Sequence, residues 1–188
     1  MKEEFLFVKQ NENTYVFFLP PNMEAVKVFR QELKNSLDSH KFPNEDVAKI
    51  ELACDEALTN SISANVASQS DETIICKWRI VDLRFSLIIM DYGRGVPKEK
   101  VDKILAGEVS IEKFIKKTPK EEPDSPRVLP YGDKKKIHKN SGQGLKIINN
   151  LMDTVKILYH CNDEVSEDPS IESIEGSIVE LSFKSSKK

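Results

Sequence analysis

Apolar residues fall into two kinds of segment, short runs rich in β-branched and aromatic side chains and longer stretches in which they return every third or fourth position. The short runs are TYVFFL (14–19), TIICKWRI (73–80), LRFSLIIMD (83–91), TVKILYHC (154–161) and SIVELSF (177–183). Their length and composition predict five β-strands. Only Val81 and Asp82 separate the second run from the third, which predicts a hairpin. Helical periodicity interleaves with the strands. A first helix follows Asn22, its expected N-cap, and aligns Met23, Val26, Phe29, Leu33 and Leu37. A second starts near PNED, with Asn44 as expected cap and Glu45 and Asp46 at its positive end, and runs to about Ala67. Its stripe of Ile50, Cys54, Ala57, Ser61 and Ala64 is made of small residues and predicts close packing on a sheet. A third helix follows SGQG and carries Leu145, Ile148, Leu151 and Met152.

Between the strand ending at Asp91 and the third helix, residues 96–141 lack sustained periodicity beyond about Phe114 and contain five prolines. A stretch of this length inside one domain reads as a functional lid or a disordered insertion. It holds 12 Lys or Arg against 8 Asp or Glu, while the whole chain has a formal net charge of -3, so positive charge is concentrated there. Residues 162–176 form a second, acidic loop expected to be solvated. With 188 residues, 39% hydrophobic and 31% charged, the chain suits a single soluble domain, 1–188. Its charge balance argues against generic nucleic-acid binding. No apolar run approaches the roughly 20 residues of a membrane helix, and MKEEFLFVKQ lacks the apolar core of a signal peptide. Cys54, Cys76 and Cys161 lack metal-site spacing, and together with the missing signal they predict reduced thiols in a cytoplasmic protein.

Three short motifs carry candidate chemistry. In DEALTN, Glu56 and Asn60 stand one helical turn apart, beside the small-residue stripe. The pair is either an ordinary polar helix face or a carboxylate that orients a hydroxyl beside an amide that completes a Mg²⁺ shell. In MDYGRGVP, Asp91 ends an apolar strand, where it can accept from an exocyclic amine such as that of adenine, and Gly93 and Gly95 permit close approach of a ligand. The same letters also fit a plain turn. In SGQGLKIINNLMD, Gly142 and Gly144 precede a helix whose positive end suits phosphate oxygens, or else form a flexible entry to it.

In this order the motifs resemble those of the ATPase superfamily shared by DNA gyrase, the heat-shock chaperone, sensor histidine kinases and a mismatch-repair protein. ELACDEALTNSI resembles its N box, MDYGRGVP its first glycine box and SGQGLKIINNLMDTV its second, over roughly residues 14–184. The resemblance implies an α+β two-layer sandwich, with a mixed, mostly antiparallel sheet, helices on one face and a long ATP lid. It implies ATP and Mg²⁺ as ligands. By position, Glu56 corresponds to the general base, Asn60 to the Mg²⁺ ligand and Asp91 to the adenine-reading carboxylate. Gly93 and Gly95 correspond to the lid hinge, and Gly142, Gly144 and Leu145 to the nucleotide-contacting turn.

Among superfamily members the chain is most similar to bacterial anti-sigma factors that are also serine-protein kinases. That similarity implies a sigma factor or similar regulator as partner, an anti-anti-sigma-type antagonist as phosphorylation substrate, and a homodimer. A nucleotide-gated binding module that turns ATP over slowly or not at all is the alternative. Ala64-Asn65-Val66 stands where many such kinases carry a His-aromatic pair, and the lid is longer than their compact pattern. Lys116, Lys117, Lys134, Lys135, Lys136 and Lys139 are either a solvated face or a source of phosphate-neutralising charge.

Overall fold

The computed structural model describes residues 5–93, 128–129, 136–137, 143–161, 164–168 and 174–186. All five predicted strands form, as β2 (Thr14–Leu19), β3 (Ile74–Val81), β4 (Arg84–Met90), β7 (Thr154–Cys161) and β9 (Gly176–Lys184). Two edge strands join them, β1 (Leu6–Asn11) and β8 (Glu164–Ser166), which sequence pattern did not show. The seven strands are ordered β1-β2-β3-β4-β9-β7-β8, and every pairing among them is antiparallel. Most of the segment expected as a lid lies outside the described residues. Within it, β5 (Val128–Leu129) pairs with β6 (Lys136–Ile137).

The predicted hairpin forms, but its turn lies one residue beyond the expected Val81–Asp82 gap, at Asp82 and Leu83, both at positive φ (49° and 56°), as a two-residue turn matched to strand twist requires. Strict alternation follows. Ile74, Cys76, Trp78 and Ile80 on β3, Phe85, Leu87 and Ile89 on β4, and Val179, Leu181 and Phe183 on β9 all join one buried core. That core lies between one sheet face and three helices, α1 (Glu24–Ser39), α2 (Asn44–Ala67) and α3 (Gly144–Leu151).

Asn22 caps α1 as expected, its Oδ1 accepting from the N–H groups of Glu24 and Ala25 at 3.0 and 3.1 Å. The cap of α2 differs from expectation. Asn44 already lies inside the first turn, and the carbonyl of Pro43 accepts from Asp46 and Val47, both at 2.9 Å. The helix closes in a Schellman motif, with Gln69 at φ 55° and the N–H of Ser70 reaching the carbonyl of Asn65. All three cysteines are free and buried, and burial pushes the Cys54 and Cys76 thiols well above their usual range, which makes them unreactive.

Trp78 is the largest fully buried side chain, and its indole N–H donates to Ser36 Oγ at 2.8 Å, with Ser36 donating onward to the Leu33 carbonyl at 2.7 Å. Ser36→Ala would leave the indole N–H buried without a partner. A loss of about 1–3 kcal/mol is expected. In a Trp78→Phe background the same change should cost much less. Urea unfolding of the four proteins measures the coupling, and additive losses would contradict it.

Candidate functional site

Asp91 continues the helix-facing parity of β4 and is 1% exposed. Its carboxylate accepts from the Gly93 N–H at 3.0 Å, the Ser177 N–H at 3.2 Å and the Ser177 hydroxyl at 2.8 Å. Burial raises its pKa, opposed by these bonds and by the nearby Ser61 hydroxyl, which favours the charged form. Ser61 Oγ is itself buried and makes no hydrogen bond of good geometry, so a polar group remains there for a ligand or water to satisfy. The chain leaving Asp91 is bound to α2. The Tyr92 N–H donates to Asn65 Oδ1 at 2.8 Å, and Asn65, 0% exposed, donates back from Nδ2 to the Glu72 carbonyl at 3.0 Å.

The other half of the site lies further back along α2. A Cβ built on Gly144 would stand 2.8 Å from Glu56 Oε2 and 3.1 Å from Asn60 Nδ2. Glu56 and Asn60 therefore both face the first residue of α3, where helix N–H groups lack intrahelical acceptors and the dipole is positive. A carboxylate, an amide and a positive helix end converge there. This is a suitable setting for the phosphates of a nucleotide. Asn60 is also suited to Mg²⁺, which takes few protein ligands and keeps water and phosphate oxygens for the rest. Among the described residues no group of three or more His, Cys, Asp or Glu gathers as a metal cage.

The structure brings Glu56, Asn60 and Gly144 together at one place, and Asp91 and Gly93 at another, with α2 joining the two. Leu145 is half-buried and packs against the core. Gly95, Gly142 and the side chains of the six lid lysines lie outside the described residues. Three participants were missed in the sequence. Asn65 was visible only as a departure from a pattern, and neither Ser177 nor Ser61 carries a local signal, because both meet Asp91 through tertiary packing. Two depressions of about 650 and 380 Å³ share Arg79 on the helix-free sheet face and hold none of these residues.

This helical layer, with a buried carboxylate at one end of α2 and a carboxylate and an amide facing a helix start at the other, is chemically suited to a nucleotide. The profile of the histidine kinase-like ATPase domain matches residues 19–165, or 147 of 188, and the chain belongs to that family. It is an ATP-binding module with an α+β fold. No curated protein matches the chain. No helix among the described residues is long and apolar enough to cross a membrane.

The glycines differ in what constrains them. A Cβ on Gly93 would lie 2.2 Å from Ala64 Cβ and 2.6 Å from its carbonyl carbon, so backbone must move. At Gly144 it would meet only side-chain ends. Gly93→Ala is expected to lower the unfolding free energy by about 1–3 kcal/mol, as overpacking does. Gly144→Ala should leave stability nearly unchanged and weaken Mg²⁺-ATP binding about tenfold, by displacing Asn60 from the corner at the start of α3. Urea unfolding with calorimetry separates the two, and equal stability losses would refute the distinction.

Asp91→Asn preserves shape and removes the charge. Because the folded pKa is raised, Asp91's contribution to stability is fully present below its ordinary value near 3.8 and is lost as pH rises through the folded value. The ligand-free variant should therefore be at least as stable as wild type at pH 7, with the difference shrinking toward pH 4. ATP affinity should fall in the same variant. A stability gap that widened on acidification would contradict the sign.

Proposed function

We propose that this domain is a serine/threonine protein kinase that acts as an anti-sigma factor in a cytoplasmic partner-switching circuit. It holds a sigma factor or similar regulator, as a homodimer, and phosphorylates a small antagonist protein. The observation that carries the proposal is the Glu56 carboxylate beside Gly144 at the start of α3, with Asn60 one turn away. A module that only bound nucleotide would not need a carboxylate at that corner.

Glu56 accepts the proton of a serine or threonine hydroxyl on the antagonist, and the freed oxygen attacks the γ-phosphorus of ATP. The bond from that phosphorus to the β–γ bridging oxygen breaks, and ADP leaves. Asn60 would hold Mg²⁺, which would neutralise phosphate charge. The N–H groups opening α3 meet the phosphate oxygens, and Asp91 accepts from the adenine amine. Positioning and charge stabilisation carry the transfer, with no covalent intermediate on the protein. Among the described residues, His40 ends α1 and His160 lies in β7, and neither sits on a helix face of the kind that presents a phospho-acceptor histidine.

The test incubates the wild type, Glu56→Ala and Asn60→Ala with γ-labelled ATP, Mg²⁺ and candidate antagonists. Wild type should label a serine or threonine. Glu56→Ala should lose about 10²–10⁴-fold in transfer rate, the usual worth of a general base, with ATP affinity kept. Asn60→Ala should lose the Mg²⁺-dependent part of binding. ATP binding with no labelling, and partner capture unaffected by Glu56→Ala, would replace the kinase with the nucleotide-gated binding module.

A further inference from the structure

His160 on β7 pairs with Gly176 on β9, and β9 separates β7 from β4 in the sheet. Its Nε2 nevertheless lies 2.6 Å from the main-chain carbonyl oxygen of Asp91, beyond the end of β4. A carbonyl only accepts, so Nε2 carries the proton. The imidazole spans a whole strand because Gly176 leaves the crossing open. A Cβ there would stand 1.8 Å from the Asp91 oxygen and 2.5 Å from Nε2. The ring is 4% exposed and packs edge-on to Tyr92 at 5.0 Å, with Nδ1 4.0 Å from the Glu175 carboxylate.

The carbonyl of Asp91 and the N–H of Tyr92 belong to one peptide unit. His160 holds its oxygen from the helix-free side, and Asn65 holds its N–H from α2. A trans peptide points these two groups in opposite directions, so the unit is clamped at both poles and cannot rotate. We infer that His160 is a positioning residue for nucleotide recognition. By fixing the 91–92 peptide it sets the direction in which the Asp91 carboxylate meets a purine amine. The inference rests on the ATP-binding reading of Asp91. Simple packing does not require a buried imidazole to cross a strand through a glycine gap and end on that peptide.

Calorimetry with ATP and with GTP on wild type, His160→Phe and His160→Gln tests it, with urea unfolding of each protein. Phenylalanine keeps the ring and removes the donor. ATP affinity should fall about tenfold, the effect of one lost hydrogen bond, and the preference for ATP over GTP should shrink. Glutamine, whose amide N–H can reach the same oxygen, should restore both. His160→Leu replaces the phenylalanine variant should that fail to fold. A folded donor-less variant with wild-type affinity and preference overturns the tether alone. So does an equal loss for both nucleotides that glutamine does not repair. A folded wild type that binds neither nucleotide overturns the reading of Asp91, and the tether with it.

Discussion

A carboxylate withdrawn from water is costly unless hydrogen-bond donors replace the solvent, and the arrangement around Asp91 follows from meeting that demand. The donors come from two places that sequence separates widely, the N–H of Gly93 just beyond and the N–H and hydroxyl of Ser177 on β9. Bringing Ser177 to Asp91 sets β9 beside β4, and the register that does so also places Gly176 where a side chain from β7 can pass above it. One buried charge thus links the sheet order, the start of the glycine loop and the exposure of a polar edge toward α2.

The two ends of the site are stabilised differently. Around Asp91 nearly every polar group is bonded within the protein, and Gly93 is pressed against helix backbone. Around Gly144 the neighbours are the ends of two flexible polar side chains. Backbone would have to move at the first end and only side-chain ends at the second, so the two differ in what a ligand must displace. The Arg30–Asp55 ion pair joins α1 to α2 without entering either end, and burial raises the Asp55 pKa against the pull of that arginine. It ties the outer helix to the functional one.

Much of this was legible in the chain. The five central strands followed from their β-branched and aromatic content and the three helices from the three-to-four-residue return of apolar positions, and the hairpin followed from the two-residue gap, although its turn lies one residue later. The edge strands did not follow. LFVKQN on β1 is almost entirely exposed, so burial imposes no alternation on it, and β8 is three residues long. The α2 cap was misplaced by one residue because Pro43 supplies only its carbonyl, which leaves no side-chain signature. Glu56, Asn60 and Gly144 could be paired through local spacing and motif order. Asn65, Ser177 and His160 act across contacts that no short window contains.

The eight residue steps along α2 from Glu56 to Ala64 span about 12 Å at 1.5 Å per residue. Ala64 abuts Gly93, and Glu56 abuts the start of α3. If Asp91 reads the base and Glu56 serves the transfer, as proposed, the helix is a ruler laid between those two ends. On the proposed reading, a nucleotide shortened by one phosphate would still register at the Asp91 mark and fall short of Glu56. The domain would then tell spent nucleotide from fresh by length.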